Sequence, residues 1–218
     1  MALNKLKFSS INVTPVANQA IKFNSSANGF ETGSAGGAIT FIKKLTASSS
    51  STLSFVDGSS DVVLDNTYKE YLFIFNNIHP QTDAQKLTFQ GNASGGSGYN
   101  ETITSTFFRA YSEESGTTAL SYDTGGDQAQ GTSYQQISDS VGSDTDQCCS
   151  GFLHLFNPSS TTFVKHFIAR TNTYQSSDYS IDVFSSGYFN TTSAIDEIQF
   201  KMASGNIDSG TITLYGIN

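Results

Sequence analysis

The sequence is poor in charge and has no tryptophan. Lys, Arg, Asp and Glu make up 14% of its 218 residues, against about 25% in a typical soluble protein. The 11 basic residues are outnumbered by 19 acidic ones, which gives a net charge of −8. This acidic balance excludes a protein that binds nucleic acid through a basic patch. The 12% of Phe and Tyr excludes a disordered chain, since such chains have few aromatics and many charges.

Long apolar runs are also missing. The longest one, residues 71–75, is far shorter than the roughly 20 residues that a helix needs to cross a bilayer. The first ten residues contain two lysines with no apolar stretch behind them, so they do not have the pattern of a secretory signal peptide. We therefore expect synthesis in a cytoplasm without export, and no insertion into a membrane.

The only two cysteines, Cys148 and Cys149, are adjacent. Neighbouring cysteines rarely form a disulfide with each other, and their spacing does not suit a zinc site. In a strand, one of them would face the core and the other would face outward. We expect a reduced pair with one thiol packed as a small apolar group, while a vicinal or intersubunit disulfide remains the alternative.

From residue 38 onward the sequence predicts an all-β domain. Roughly ten short apolar segments recur every 8–15 residues with turn residues between them, a pattern typical of an antiparallel β-sandwich or jelly roll. In one such segment Ile198, Phe200 and Met202 alternate with polar residues, which favours a strand over the helix that a capped start at Ser193 would allow. Another pair of segments predicts a hairpin that turns at residues 157–160.

The first 37 residues differ from the rest. They contain short β-like pieces at 5–8, 11–13 and 19–23, few large apolar residues, and a flexible glycine-rich end at residues 33–37. We interpret residues 1–37 as an extended N-terminal arm that anchors the chain to something else, followed by a β-sandwich domain at 38–218. The alternative is that the segment supplies an ordinary first hairpin of that domain.

No catalytic motif is present in the sequence. The predicted hairpin would bring His154 and His166 together, but two histidines without a third ligand do not make a metal site. Nucleophile-elbow, metalloprotease and phosphate-loop patterns are absent from the sequence. We therefore expect no enzyme activity, no metal and no cofactor. A glycan-cleaving enzyme would need two carboxylates that face each other at about 5–10 Å.

Tyrosines supply the candidate contact residues. Their rings can stack on sugars, and tyrosine is also enriched at subunit interfaces. We expect the following to be exposed loop residues that contact a glycan or another subunit, with subunit contact favoured: Tyr99, Tyr111, Tyr122, Tyr134 and Tyr174.

Self-association is expected from the surplus of apolar residues. Segments such as 71–75 and 163–167 have more large apolar side chains than one buried face of a sandwich needs, and exposed apolar patches usually mark a partner. In the last segment, Thr211, Thr213 and Tyr215 lie on one side of the predicted strand, where they would pack against a symmetry-related copy of the chain. We expect a closed homo-oligomer whose contact involves this C-terminal strand or the arm.

Three stretches resemble virion structural proteins of tailed phages that infect marine bacteria. They are residues 4–15 with 19–24, residues 45–58 continuing through 68–71 to 77–80, and the ending GTITLYGI at 210–217. The resemblance covers most of the chain, and its motifs are structural, so no functional residue is carried over. It implies a non-enzymatic appendage of the tail-fibre or head-decoration type, assembled in the host cytoplasm.

The expected function is therefore that of a virion component. The arm at residues 1–37 would bind other virion proteins, and the sandwich would be displayed, as a trimer by analogy with such appendages. The alternative is a receptor-binding module for host attachment, which recognises a host-surface glycan.

Overall fold

The computed structural model describes residues 13–14, 20–33 and 38–218, and these residues form strands, turns and loops without a helix. The predicted all-β class is confirmed. In the same residues no helix is long and apolar enough to cross a membrane. The strands of the described ranges are β1 (Ala20–Phe23), β2 (Phe30–Gly33), β3 (Ile39–Thr46), β4 (Leu53–Val56), β5 (Glu70–Pro80), β6 (Leu87–Ala93), β7 (Ile103–Glu113), β8 (Thr118–Tyr122), β9 (Ala129–Gly131), β10 (Gln135–Gln136), β11 (Cys149–Phe156), β12 (Lys165–Gln175), β13 (Tyr179–Phe189), β14 (Ile195–Met202) and β15 (Ile207–Ile217).

The chain divides into two compact units, residues 1–38 and 39–218. In the first unit β1 and β2 pair with each other as an antiparallel hairpin, in which the rings of Phe23 and Phe30 stack with centroids 5.0 Å apart. Strand β1 lies where the sequence predicted its third β-like piece. The piece at 5–8, and residues 11–12 of the second piece, lie outside the described residues. The anchoring role of this unit stays a prediction.

The second unit is a sandwich of two antiparallel sheets. The larger sheet has the strand order β3-β15-β5-β11-β12-β13-β7-β8, and β9 also pairs with β7. The smaller sheet has the order β10-β6-β14-β4. The predicted β-sandwich is therefore confirmed. The most apolar segment of the sequence becomes β5, an interior strand of the larger sheet that ends at Pro80.

Aromatic rings fill the space between the sheets. Phe200 on β14 of the smaller sheet is fully buried. Its centroid lies 5.3 Å from those of Phe73 and Phe75 on β5, and 6.2 Å from those of Phe55 and Phe89 in its own sheet. Most of these pairs meet edge to face, the arrangement that the charge distribution of aromatic rings favours. One ring thus joins both layers of the core.

Several local expectations can be compared with the strands. The segment that ends at Met202 is a strand and not a helix, and the hairpin about residues 157–160 is formed by β11 and β12. His154 lies opposite Ile168, so His154 and His166 are diagonal neighbours, as expected. The apolar segment at 62–64 is not a strand. Val62 and Leu64 are buried, but they belong to a loop between β4 and β5 in which the Leu64 N–H donates to an Asp57 carboxylate oxygen at 2.7 Å.

Two more strands belong to the larger sheet. The stretch at 123–131 ends in the short strand β9. The C-terminal strand β15 lies between β3 and β5, with Ile212 and Leu214 buried. Thr213 in its outward row is buried as well, so Thr211 and Tyr215 are the residues of that row that remain accessible to another copy.

Candidate functional site

The outer side of the larger sheet carries many large apolar side chains. Along β12, Phe167 and Ala169 are buried against the smaller sheet, whereas the alternate residues Ile168 and Arg170 are exposed and face away from it. The same alternation on neighbouring strands places further large apolar side chains on this side, of which some are exposed and most are half-buried. We call this surface the aromatic face, and it comprises Phe41, Leu72, Ile74, Phe108, Leu120, Tyr122, Phe152, His154, Phe156, Ile168, Phe184, Tyr188 and Tyr215.

Strand register aligns these side chains in rows across the sheet. One row runs from Phe152 through Arg170, Phe184 and Phe108 to Tyr122. The rings of Phe108 and Phe184 stack with centroids 4.9 Å apart, and the Arg170 guanidinium carbon lies 4.6 Å from the Phe184 centroid. Arg170, Phe184 and Phe108 are therefore stacked one on the next along the row.

A second row runs parallel to the first. Phe41, Tyr215, Leu72, His154 and Ile168 are successive cross-strand partners. Exposure within the face is high for apolar groups: the exposed fraction is 60% for Phe41 and 48% for Ile168. Single exposed apolar residues are ordinary, whereas contiguous apolar patches are typical of interaction surfaces.

Two polar pairs lie near the centre of this face. An Arg170 guanidinium nitrogen lies 2.7 Å from an Asp182 carboxylate oxygen, and the His154 Nε2 lies 2.9 Å from a Glu70 carboxylate oxygen. The charges of the first pair cancel, whereas the second is an ion pair only when the His154 ring is protonated.

A groove interrupts the apolar surface. The small side chains of Thr106 and Ser186 form its base, and Phe156, Ile168 and Tyr188 rise around it. Its volume is about 470 Å³, enough for one or two large side chains of a partner. The face thus has both a groove and protruding apolar groups.

The five tyrosines singled out in the sequence do not lie together. Tyr122 belongs to the aromatic face and donates its hydroxyl to Asp127. Tyr111 packs inward against a small apolar cluster, and Tyr174 donates its hydroxyl to an Asp178 carboxylate oxygen at 3.2 Å. These three residues lie on β7, β8 and β12, so describing them as loop residues was wrong. Of the five, Tyr122 alone is exposed, and the others are half-buried.

Tyr99 and Tyr134 lie at the smaller sheet instead. Burial and the neighbouring Glu197 carboxylate raise the pKa of Tyr99 to about 12. The Tyr134 hydroxyl donates to Gln199, and the Lys201 ammonium lies 4.7 Å from the Tyr134 ring centroid. Tyr134 also lines a polar cleft with a volume of about 450 Å³.

Potential metal ligands and the two cysteine thiols are the remaining groups with chemistry of their own. In the part of the chain that the structure describes, no group of three or more His, Cys, Asp or Glu side chains could hold a metal ion. Cys149 is fully buried, as expected for one of the two cysteines, and burial raises the pKa of its thiol to about 12, so it is inert at neutral pH. Cys148 is half-buried, and burial and Asp146 raise the pKa of its thiol as well.

Sequence reasoning missed most of the aromatic face. Phe108, Phe152 and Phe184 come from three strands that are far apart in the sequence, and only the register brings them together. The available signal was the surplus of large apolar residues in segments 71–75 and 163–167, which predicted an exposed patch without placing it. Comparison of the chain with models of protein families, with curated proteins and with solved structures gives no match.

Proposed function

We propose that this chain is a non-enzymatic structural protein of a virion, which assembles with copies of itself through the aromatic face. The observation that carries the self-association is the contiguous apolar outer side of the larger sheet. The virion setting is supported by the sequence resemblance to structural proteins of tailed phages.

The aromatic face is large enough for a stable interface. Eight strands spaced about 4.8 Å apart, with up to about eleven residues of about 3.3 Å each, give the sheet an outer area of roughly 1,000 Å². A standard protein–protein interface buries about 800 Å² on each partner. Neighbouring copies that together cover most of this face would therefore bury an interface of ordinary size.

The groove and the protruding apolar side chains of the aromatic face fit a copy of the same chain as the occupant. Each copy has a net charge of −8, so two copies repel each other in most orientations. This repulsion is weaker at the centre of the aromatic face, because the Arg170 guanidinium there is paired with Asp182. The protruding Leu120 of one copy, 72% exposed, also matches the groove around Ile168 of another in size and polarity.

The assembly that we propose is a closed homo-oligomer, with a trimer as the expected state. Residues 1–37 would join it to other virion proteins, so that the sandwich is displayed on the particle. In this arrangement the aromatic face is turned toward the other copies and the smaller sheet toward the surroundings.

Sedimentation velocity of the isolated chain tests this function. We expect wild type at about 10 μM, a concentration well above the dissociation constant of an interface of ordinary size, to sediment as a single closed oligomer. The double variant Phe108→Asp, Ile168→Asp places two unpaired charges in the interface and should sediment as a monomer.

The matched control is Phe163→Asp, because Phe163 is 68% exposed but lies just before β12 and outside the aromatic face. It should leave the oligomer intact. A wild-type monomer at tens of micromolar, or an oligomer that the double variant retains, would refute the proposal.

A second candidate function is recognition of a glycan, as in host attachment. Tyr134 supports it, since its aromatic ring lines a polar cleft on the side of the sandwich opposite the aromatic face. The two functions use different surfaces and are compatible with each other.

A further inference from the structure

The turn of the β1–β2 hairpin contains an asparagine followed by a glycine. Asn28 and Gly29 come directly before β2, and they are the only Asn-Gly pair in the sequence. The backbone nitrogen of a residue that follows asparagine can attack the side-chain amide carbon and close a succinimide ring. Glycine favours this closure, because it has no side chain to block the approach and restricts the backbone least.

The turn leaves both reacting groups accessible. Asn28 is exposed and Gly29 is half-buried. Within the described residues the Gly29 N–H donates to no backbone acceptor, so no such hydrogen bond has to break before its nitrogen attacks. The side-chain oxygen of Asn28 accepts a hydrogen bond from the Asn24 amide nitrogen at 2.9 Å. This hydrogen bond draws electron density away from the amide carbon that is attacked.

Little apolar burial holds the hairpin closed. Strands β1 and β2 form a two-stranded sheet, in which Phe23 is 67% and Phe30 47% exposed. A hairpin of two strands is only marginally stable in water. The turn therefore opens often, and opening frees the Asn28 side chain to rotate toward the Gly29 nitrogen.

A second pair with the same chemistry is held shut by the fold. Asp57 and Gly58 are the only Asp-Gly pair in the sequence, and such a pair closes the same ring with loss of water. Here, however, the Gly58 N–H donates to the Val62 carbonyl at 3.0 Å. An Asp57 carboxylate oxygen accepts from the N–H of Leu64, which is buried. Ring closure would break both hydrogen bonds, so this pair is protected while the loop is folded.

We propose that Asn28 is a site of spontaneous deamidation. The Gly29 nitrogen loses its proton to the solvent and forms a bond to the Asn28 Cγ, while the side-chain amide group takes up a proton and leaves as ammonia. Water then opens the succinimide ring at one of its carbonyl carbons, which yields aspartate or isoaspartate. The reaction consumes one water molecule and needs no oxidant, reductant or further reactant.

The product changes the segment that was interpreted as an anchoring arm. Residues 1–37 contain three lysines and one glutamate, a net charge of +2, and deamidation lowers this charge to +1. Isoaspartate also adds an atom to the backbone of the turn, which disturbs the hydrogen bond from the Asn24 N–H to the Gly29 carbonyl. Chains with a modified arm therefore accumulate with age. The reaction itself does not depend on the virion role or on self-association.

Incubation of the full chain in water enriched in heavy oxygen tests the proposal. Ring opening inserts one oxygen atom from water, so it labels Asn28 and Asp57 alike. Trypsin separates the two sites, because Lys43 and Lys44 lie between them, and mass spectrometry of the peptides locates the label. Each site is followed at mildly alkaline pH, in the native chain and in guanidinium chloride.

The two sites should differ in how far the fold slows them. We expect Asn28 to react in the native chain within about tenfold of its rate in guanidinium chloride, because an exposed turn opens at little cost. Asp57 should react in guanidinium chloride and be slowed by at least about a hundredfold in the native chain. Each site is compared with itself, so the different intrinsic rates of Asn-Gly and Asp-Gly pairs do not matter.

Two glycine-to-alanine variants provide the matched control. Gly29→Ala hinders the attacking nitrogen and should slow the labelling of Asn28 by about tenfold or more. The added methyl group would lie 3.2 Å from the Asn24 amide nitrogen, which belongs to a side chain that can move aside. Gly33→Ala makes the same change in the same hairpin away from the ring, and it should be labelled as wild type is. Both variants are also compared in guanidinium chloride, so the comparison does not depend on their folding.

Three results would overturn the inference. If native Asn28 takes up no label while the unfolded chain does, the hairpin protects the site. If Gly29→Ala is labelled as fast as wild type, the Gly29 nitrogen does not close the ring. If Asp57 reacts as fast in the native chain as in guanidinium chloride, the hydrogen bonds described above do not decide which pair reacts. None of these results bears on the proposed self-association, which stands or falls separately.

Discussion

Removal of the Phe200 ring should be the most damaging simple truncation in the sandwich. Phe200 is fully buried and lies between Phe73 on the larger sheet and Phe55 and Phe89 on the smaller one. Phe200→Ala would leave a cavity bordered by rings from both layers. Because those rings belong to two sheets, neither sheet can close the cavity without moving relative to the other.

The expected loss of unfolding free energy is about 4 kcal/mol. Phe→Ala substitutions in well-packed cores cost about 3–5 kcal/mol, and edge-to-face aromatic pairs add about 0.5–1.5 kcal/mol each beyond the area they bury. A domain of this size loses about 2–4 °C of melting temperature per kcal/mol, so the midpoint should fall by about 8–16 °C. Phe163→Ala removes the same atoms from an exposed position and should change stability by no more than about 0.5 kcal/mol.

Urea unfolding followed by far-UV circular dichroism measures the difference. Both variants and wild type are compared at one protein concentration, because association stabilises the folded state by mass action. If Phe200→Ala loses no more stability than Phe163→Ala, the two sheets do not share the aromatic core described above, and the packing argument fails.

Three further outcomes follow from buried polar groups. Arg109→Met should lower the free energy of unfolding by about 3 kcal/mol, because it leaves Asp139, a carboxylate that is only 4% exposed, without its cation. Arg170→Met removes the cation of a largely exposed pair and should cost less than about 1 kcal/mol. Urea unfolding of both variants measures the difference. Burial raises the pKa of Tyr71 above the usual value of 10. The stability that the neutral hydroxyl supports is therefore complete below pH 10 and is lost at higher pH. Tyr71→Phe has no hydroxyl to ionise, so it should unfold at a higher pH than wild type in an absorbance titration at alkaline pH. Cys149 should react with a thiol reagent at pH 8 only after denaturation, and reaction in the native state would contradict its burial.

The sequence predicts the strands best where apolar and polar residues alternate. Ile198, Phe200 and Met202 identify β14 because their period of two matches a strand with one buried side. The full length of β12 could not be predicted in this way. Thr171 and Thr173 are buried on β12, but threonine does not stand out in an apolar pattern. Buried polar residues therefore hide the full length of β12, which is one of the longest strands.

The candidate sites depend on contacts between distant parts of the chain. Phe152, Phe184 and Phe108 become neighbours only through the pairing of β11, β12, β13 and β7. Tyr134 could be chosen as a ring suited to sugars, but its neighbours come from β6, β10 and the loop at 125–133.

Electron cryo-microscopy of the isolated assembly tests the central claim most directly. Self-association through the aromatic face requires that the larger sheet of each copy face the symmetry axis, with Ile168, Phe108 and Phe184 buried between copies. The smaller sheet and its polar cleft should then lie on the outside. A reconstruction in which the aromatic face is turned to solvent, or in which the copies meet through the smaller sheet, would contradict the account.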